Sequence, residues 1–276
     1  MHTLKVSVIV PTYKDIVALK LILDAFSQQT YEKFEVIIAE DDDAQVTKDL
    51  LKEYICKYTI KHFFQEDKGN RKPRAVNNAI DMSIGEYIIF IDGDTIPYTT
   101  FIESHVKLSN PYVCLCGRRV NLGTKVSNEL RNKKISSLDI EKSYIGKANY
   151  LLKDNIRHYE QGFYFKPHSM INKILSHFDS NTSIVASNFS CHKDRLLEVN
   201  GIDEALPYAP SRDDTDLQWR LESIGVVMKS IKFCANLLHL DHSRNDRKLE
   251  DEYNKKLIEI KKMNNEYVCK NGIKKL

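Results

Sequence analysis

Glycine is scarce in the first quarter of this sequence. The chain has 276 residues and ten glycines, and the first of them is Gly69. The glycine-rich turns of the dinucleotide-binding fingerprint and of the P-loop, which follow a first strand and hold phosphates, are therefore absent. A nucleotide bound by this chain needs other groups for its phosphates, either a metal ion or basic side chains.

Long apolar runs and a strong net charge are also missing. The longest apolar runs, such as the one over 6–10, are far shorter than the roughly 20 residues of a membrane-spanning helix. The same run is too short for a secretory signal, and 11–14 after it does not resemble a cleavage site. A net charge of +3 does not indicate a nucleic-acid partner. We expect a cytoplasmic protein without a membrane-spanning segment.

The cysteines do not form a recognisable metal or redox motif. Six cysteines are scattered over the chain, and the nearest two, Cys114 and Cys116, are separated by one residue. That spacing fits neither a zinc site nor a thioredoxin-type pair. We expect all six to be reduced structural thiols in a reducing compartment.

Apolar residues recur with the spacing of alternating strands and helices. The predicted strands are rich in β-branched and aromatic residues, which is typical of strands buried on both faces of a parallel sheet. Strands are expected at 6–10, 34–39, 61–65, 87–91 and 112–121, and helices at 15–29, 47–56, 74–82, 95–108 and 213–225. The segment 121–168 has no clear period, and we expect it to be irregular. The alternation indicates an α/β fold.

The clearest chemical signal follows the strand at 87–91. Every residue of that strand is aromatic or β-branched, and Asp92, Gly93 and Asp94 come directly after it. Open α/β sheets bind ligands at the carboxyl ends of their strands. Two carboxylates at such an end, separated by a residue that lets a ligand approach, suit Mg²⁺ or Mn²⁺ carrying a phosphate. We therefore predict a metal–diphosphate site at this Asp-Gly-Asp.

Six segments of the chain, in order, resemble the glycosyltransferases of family 2 with the GT-A fold. They are 7–13, 34–41, 74–80, 90–94, 200–204 with 213–221, and 239–244. The resemblance covers 4–244 and implies a single Rossmann-like domain with a mostly parallel central sheet flanked by helices. It also implies a UDP-sugar donor, a divalent metal and inversion at the anomeric carbon. The block at 213–221 looks similar to the carboxyl-terminal region of galactosyl- and N-acetylgalactosaminyltransferases.

The resemblance implies a domain at 1–243 and a helical tail at 244–276. The domain divides into a nucleotide-binding half, 1–100, and an acceptor-binding half, 101–243. The tail carries lysines among apolar residues. We expect it to pack as a helix with a solvated face, and peripheral membrane association at the inner face of the plasma membrane is the alternative.

The metal ligands are expected on both halves of the domain. Asp94 is the predicted direct ligand, and Asp92 is predicted to contact the ribose or a metal-bound water. Imidazole suits Mn²⁺ as a third ligand. His242 is the first choice for that ligand, with His239 as its rival. Arg244, just beyond, is placed to reach the diphosphate.

An inverting transfer needs one base that takes the proton of the attacking acceptor hydroxyl. The resemblance points to Asp214 for this role, and Asp213 would orient the acceptor or exchange roles with it. The same residues also read as acids in the first turn of a helix. Asp216 is expected to be structural.

Donor and acceptor contacts follow from the same resemblance. Glu40 or Asp41 is expected to contact the base, and Tyr13 to stack on it. The full predicted donor set is Pro11, Thr12, Tyr13, Glu40, Asp41, Asp42, Lys72, Arg74, Asp92 and Gly93. Asn188 and Trp219 are predicted to form the acceptor pocket, although the spacing of Trp219 from Asp216 fits a core position equally well.

The resulting hypothesis is a metal-dependent hexosyltransferase that uses a UDP-sugar of the Gal, GalNAc, Glc or GlcNAc class. Its acceptor would be a saccharide or a lipid-linked saccharide, in bacterial surface polysaccharide synthesis. A nucleotidyltransferase that makes the sugar nucleotide is one alternative, but it would need a glycine-rich phosphate loop. A non-catalytic sugar-nucleotide-binding module is another, but it would not need the Asp214 block.

Overall fold

The structure, a computed structural model, describes residues 4–178, 182–206, 213–242 and 248–276. Its strands are β1 (Val6–Thr12), β2 (Phe34–Glu40), β3 (Thr59–Phe64), β4 (Tyr87–Ile91), β5 (Thr95–Pro97), β6 (Val113–Cys116), β7 (Val120–Asn121), β8 (Asn188–His192), β9 (Val227–Ser230) and β10 (Leu237–His239). Its α-helices are α1 (Ile16–Phe26), α2 (Gln45–Glu53), α3 (Lys72–Met82), α4 (Phe101–Leu108), α5 (Thr124–Arg131), α6 (Ser137–Lys142), α7 (Ala148–Leu152), α8 (Met170–Phe178), α9 (Lys193–Glu198), α10 (Asp213–Ser223) and α11 (Lys248–Met263). Strands and helices alternate through the first half, as the apolar pattern predicts.

Seven strands form one mixed sheet with the order β3-β2-β1-β4-β8-β6-β9. The strands β1 to β4 are parallel to their neighbours among themselves, and β9 is parallel to β6. Only β8 runs against the two strands that flank it. The prediction of a mostly parallel central sheet flanked by helices is confirmed. The carboxyl ends of β1, β2 and β4 therefore meet at one edge, where such sheets bind ligands.

Alternating residues of the central strands face two separate cores. In β1, Val8 and Val10 pack in one core with α1, while Ile9 packs in the other with α3. All of these residues have no exposed surface. A strand that contributes to two apolar layers is fixed in register, because a slip by one residue would exchange its faces. This register sets where the strand ends lie.

A second sheet of three short strands, β5-β10-β7, covers the carboxyl edge. Its first strand corrects the predicted helix at 95–108, because Thr95–Pro97 pairs with β10 and the helix begins only at Phe101. The Thr95 hydroxyl donates to the carbonyl of Asp92 and accepts from its backbone N–H. These contacts hold the chain extended just after the Asp-Gly-Asp, and the tertiary pairing overrides the helical spacing of the apolar residues.

The segment 121–168 contains more regular structure than we expected. The helices α6 and α7 lie in the part where helical fragments are predicted, but α5 and the 3₁₀ turn Tyr159–Gly162 are additional. The capping box of Ser136 and Asp139 fixes the start of α6. The helix α8 was not predicted either. These helices are short, so their apolar spacing is too brief to give a clear period.

The cysteines are free thiols, and Cys114, Cys116 and Cys191 are buried in the core. Among the described residues, no helix is both long enough and apolar enough to cross a membrane. Arg244, which we predicted to reach a diphosphate, lies outside the described residues.

The carboxyl-terminal helix α11 packs on the acceptor half of the domain through a buried charge network. The Lys261 Nζ lies 2.7 Å from Asp203 Oδ2 and 2.6 Å from Asp216 Oδ1. The other oxygen of Asp216 accepts from Arg220 Nε at 2.7 Å. Ile258 on the same helix packs against Trp219. The tail is therefore integrated into the domain through both charge and apolar contacts.

Replacing Lys261 with methionine should lower the free energy of unfolding by about 3 kcal/mol, because it leaves the buried Asp203 without its cation. Urea unfolding measures this effect. The matched control is Lys255→Met on the exposed side of the same helix, which should change stability little. Equal unfolding midpoints for the two variants would contradict the assignment.

Candidate active site

The Asp-Gly-Asp lies where the end of β4 meets the end of β1. Gly93 is needed there for a close approach, because a Cβ at this position would lie 2.3 Å from the carbonyl oxygen of Pro11. Asp92 and Asp94 are thus held on either side of a turn that contacts the neighbouring strand. The structure places both at the carboxyl edge of the sheet, as the sequence predicts.

Asp94 and two histidines form one cluster. The Asp94 Oδ2 lies 3.4 Å from His239 Nε2 and 3.2 Å from His242 Nε2. One ligand atom from each of the three residues lies within 4.8 Å of the others. His239 belongs to β10, which pairs with the strand that follows Asp94. The two histidines that were rival predictions therefore lie together.

The donor set of this cluster fits a divalent transition metal. One carboxylate oxygen and two imidazole nitrogens are ligands that suit Mn²⁺ better than an all-oxygen set would. Asp94 Oδ1 is buried and has no hydrogen-bond partner among the described residues, so it is available to an ion. Burial opposes ionisation of Asp94, but hydrogen bonds from His239 and His242 hold its pKa below the usual range. The carboxylate is therefore charged and ready to bind a cation.

Asp92 is not part of this cluster. Its Oδ1 lies 2.7 Å from the Nζ of Lys72, the first residue of α3. The structure thus shows Asp92 in an ion pair with Lys72, and its predicted contact with the ribose or a metal-bound water stays a prediction. Burial opposes the charged form of Lys72, but the carboxylates of Asp92, Asp213 and Asp94 together hold its pKa above the usual range. The arrangement places one fixed cation beside the metal cluster. Arg74, two residues further along the same helix, is exposed.

Two carboxylates at the start of α10, in the part of the chain predicted to bind the acceptor, face Lys72 and Asp92. Asp213 is 5% exposed, and its Oδ1 has no hydrogen-bond partner among the described residues. Burial raises the pKa of Asp213. Burial and the neighbouring Asp213 together raise the pKa of Asp214 to about 6. A carboxylate with a pKa near neutral pH is suited to general-base catalysis.

Two residues that were predicted as alternatives for contacting the nucleotide base have protein partners in the structure. Glu40 has no exposed surface, and its oxygens accept from Thr47 Oγ1 at 2.5 Å and lie 2.8 Å from His62 Nε2. Asp41 accepts from Gln65 Nε2 and from the backbone N–H of Arg71, both at 2.6 Å. Both carboxylates therefore support the fold, and Asp41 holds the residue that precedes Lys72.

Three residues of the predicted donor set remain open to solvent or to a ligand at the ends of β1 and β2. Asp42 is partly exposed, unlike Glu40 and Asp41. Tyr13 is 52% exposed, and its hydroxyl donates to Asp67 at 3.2 Å. Pro11 is partly exposed, while Thr12 is buried. Asp42 and Tyr13 are therefore accessible to a ligand, and their contacts with the nucleotide stay predictions.

The structure contradicts both acceptor predictions. Asn188 has no exposed surface, because its Nδ2 donates to the carbonyls of Arg118 and Ala235 and its Oδ1 lies 3.2 Å from His105 Nε2. Trp219 is 9% exposed and packs in a small apolar cluster with the tail helix. Asn188 is engaged in hydrogen bonds inside the protein and Trp219 in apolar packing, so neither side chain is available to a sugar. Asp216 is structural, in line with the expectation.

The model of "Glycosyl transferase family 2" matches residues 7–176, which is more than half of the chain. The chain belongs to glycosyltransferase family 2. The match includes the Asp-Gly-Asp and four of the six segments that carry the family resemblance.

Individual relatives of this family-2 chain match over shorter segments. The glycosyltransferase AglE of Haloferax volcanii is 30% identical over 118 residues, which is 42% of this chain and 39% of that protein. The matches span from 15% to 39% of the length of these curated relatives.

The fold is that of solved glycosyltransferases. S. aureus TarS has a TM-score of 0.63 and 15% identity, over 94% of this chain and 40% of its own. The mannosyltransferase PcManGT from Pyrobaculum calidifontis, solved with GDP-Man and Mn²⁺, has a TM-score of 0.56 and 15% identity, over 89% of this chain and 59% of its own. At such identities the likeness shows the fold, and the prediction of a GT-A fold is confirmed.

One ion pair of this family-2 site was missed from the sequence. Asp15 caps α1 through the Ala18 N–H and binds Arg131 of α5 through two hydrogen bonds of 2.8 Å. An aspartate at the start of a helical pattern is a readable cap signal. Its partner lies 116 residues away, and no local pattern indicates it. The pair fixes α5 beside the end of β1.

Proposed function

We propose that this chain is a metal-dependent, inverting glycosyltransferase. It transfers a hexose of the Gal, GalNAc, Glc or GlcNAc class from a UDP-sugar to a hydroxyl of a saccharide or lipid-linked saccharide. The observation that carries the proposal is the pairing of two sites. The Asp94–His239–His242 cluster provides a metal site, and Asp213 and Asp214 face it across Lys72 and Asp92.

The donor diphosphate would lie on the metal cluster. Asp94, His239 and His242 would hold Mn²⁺ or Mg²⁺, and the chemistry such an ion supplies is neutralisation of charge on the leaving diphosphate. Lys72 adds a second positive charge from the protein itself. The chain has no glycine-rich turn after its first strand. In this proposal the metal ion and Lys72 therefore replace the backbone N–H groups that hold phosphates in other nucleotide-binding folds.

Asp214 is the general base in this proposal. Its carboxylate removes the proton of the acceptor hydroxyl while the hydroxyl oxygen forms a bond to the sugar C1. The bond between C1 and the β-phosphate oxygen breaks, and UDP leaves on the opposite face, so the anomeric configuration inverts. Asp213, which is more deeply buried, orients the acceptor and raises the pKa of Asp214.

The proposal that the donor base is uracil rests on the family resemblance and on a solved neighbour. TarS residues 1–349 were solved in complex with UDP, with a TM-score of 0.60 and 16% identity to this chain. PcManGT binds GDP-Man instead, so fold alone does not select the base. The first experiment is calorimetry with UDP and with GDP, each with and without Mn²⁺. UDP release from candidate UDP-sugars and the anomeric configuration of the product then follow. Failure of UDP to bind, or retention of configuration, would refute the proposal.

The pH dependence tests the base directly. Because the pKa of Asp214 is raised to about 6, kcat/KM should fall about tenfold for each pH unit below that value, as the base becomes protonated. Initial rates from pH 4.5 to 8 measure this limb. In Asp213→Asn the limb should move to lower pH, since one cause of the raised pKa is removed. A flat profile would contradict the assignment.

Acceptor and location are part of the same proposal. One relative is named a GalNAc(5)-diNAcBac-PP-undecaprenol β-1,3-glucosyltransferase, and it is 28% identical over 96 residues. This supports a lipid-linked saccharide acceptor in surface polysaccharide synthesis, at the inner face of the plasma membrane. Tyr253, Ile260 and Met263 are exposed apolar residues of α11, and peripheral membrane association through this helix remains a prediction.

A further inference from the structure

A row of polar residues crosses the small sheet beside Asp94. Thr95 of β5 is paired with His239 of β10, and His239 is paired with Asn121 of β7. Asn121 is in turn paired with Arg157, through N–H···O bonds of 3.0 and 2.9 Å in the two directions. Residues that are directly opposite in this way have side chains on the same face of a sheet. The row therefore continues from the metal cluster to Arg157.

The opposite face of this sheet fixes which way the row points. Its residues Ile96, Leu238 and Val120, one position along from the row, are all buried in the main apolar core. Ile156, next to Arg157, packs against the same core. Since neighbours along a strand point to opposite faces, the polar row faces away from the core. His239 in the row contacts Asp94, so the row faces the candidate active site.

Asn121 has an unused hydrogen-bond acceptor in this row. It is 8% exposed, and its Oδ1 is buried without a partner among the described residues. Buried amide oxygens normally accept a hydrogen bond, and one that does not calls for an explanation. A ligand hydroxyl that arrives beside His239 would supply the missing donor. The amide is thus a contact point for a ligand on the metal cluster.

Arg157 brings a positive charge to the same row. Its backbone lies across the sheet from His239, with Asn121 between them, which is roughly 10 Å at the ordinary spacing of two neighbouring strands. Its side chain is exposed. A guanidinium presents a planar fork of donors that matches two phosphate oxygens. An arginine at this position therefore suits an anion that extends from the metal toward the rim of the site.

The charge balance of the site favours such a cation. In the described part of the chain, four carboxylates, those of Asp92, Asp94, Asp213 and Asp214, lie near the ammonium of Lys72. A bound diphosphate adds further negative charge, which increases when the bond to the sugar breaks. One divalent ion and one lysine leave this assembly negatively charged. A second fixed cation next to the diphosphate would stabilise the departing group.

We propose that Arg157 binds the leaving diphosphate of the donor and that Asn121 accepts a hydrogen bond from a hydroxyl of the donor sugar. The inference rests on the proposed function, and it assigns these two residues to a wall of the donor site. Neither residue belongs to a motif, so neither could be identified from the sequence. They come together only through the strand pairing.

Calorimetry in the presence of Mn²⁺ tests the role of Arg157. Arg157→Gln should weaken UDP binding about 10- to 100-fold, the usual value of charge-assisted hydrogen bonds, and leave uridine binding unchanged. Arg157→Lys should recover part of the affinity. The matched control is Lys153→Gln, an exposed cation of the same segment, which should bind UDP like the unsubstituted protein.

Three outcomes decide the assignment of Arg157. Unchanged UDP affinity in Arg157→Gln overturns it, even if turnover falls. A raised acceptor KM with normal UDP affinity also overturns it, and moves the arginine to the acceptor side. If the unsubstituted protein binds neither UDP nor uridine, the proposed function fails first, and this inference fails with it.

Asn121 is tested by comparing a UDP-sugar that the enzyme accepts with UDP itself. Asn121→Ala should weaken the UDP-sugar about 3- to 10-fold, the value of one neutral hydrogen bond, and leave UDP affinity unchanged. Asn121→Ser replaces the amide with a shorter hydroxyl side chain and provides a second variant if the alanine variant melts early. An equal loss for both ligands in a folded variant would overturn the sugar contact.

Discussion

Replacing Asp214 with asparagine should lower kcat by about two to four orders of magnitude, the usual contribution of a general base. The amide has nearly the same shape as the carboxylate but does not take the proton of the acceptor hydroxyl. UDP affinity should stay near that of the unsubstituted protein, because the metal cluster is formed by other residues. Turnover with the best UDP-sugar, measured as UDP release, provides the test.

The stability of the same variant provides its control. Burial raises the pKa of Asp214 to about 6, above the roughly 3.9 of an unfolded chain. The charged carboxylate therefore costs stability above pH 6, and this cost disappears below about pH 4. Asp214→Asn should consequently melt no earlier than the unsubstituted protein at pH 8. Retained turnover in a folded variant would move the base elsewhere, with Asp213 as the next candidate.

Replacing Asp94 with alanine should abolish the gain in UDP affinity that Mn²⁺ confers. Asp94 is the carboxylate that both histidines contact, and it offers a buried oxygen without a partner in the described chain. Loss of a direct ligand should cost at least about 100-fold in metal affinity, since even outer partners cost 10- to 100-fold. Calorimetry with UDP, with and without Mn²⁺, measures the difference.

The matched control for Asp94 is Asp43→Ala. Asp43 is an exposed acid that pairs with Lys48, and its replacement should leave both UDP affinity and the response to Mn²⁺ intact. His242→Ala should have an intermediate effect, since one carboxylate and one imidazole remain. If Asp94→Ala still responds fully to Mn²⁺, the metal site lies elsewhere.

The strands of the nucleotide half and the Asp-Gly-Asp could be predicted from the sequence because their signals are local. A run of β-branched and aromatic residues predicts a buried strand, and the residues that follow it must lie at the strand end. The pair at the start of α10 was readable for the same reason. The family resemblance then assigned roles to these positions. The match to glycosyltransferase family 2, over 7–176, shows the family, and the roles of the individual residues stay predictions.

The errors concern residues whose role depends on distant partners. Glu40 was expected to meet a base, but Thr47 and His62 use its oxygens. Asn188 was expected in a pocket, but its amide joins three segments inside the protein. In each case the residue type suits both a ligand contact and an internal hydrogen bond, and only the packing around the side chain determines which of the two it makes.

By itself the sequence determined where β1 to β4 lie along the chain and placed the Asp-Gly-Asp at the carboxyl end of β4, whereas β5 lies in a segment that was predicted as helix. The spacing of apolar residues along a strand depends only on residues that are close in sequence, so it can be recognised without knowing the tertiary contacts. Only the tertiary structure decided that both histidines contact Asp94, that Lys72 pairs with Asp92 and that Arg157 is aligned with His239. Those contacts join segments more than 20 residues apart in most cases, and they exist only because two sheets and their helices pack at one edge.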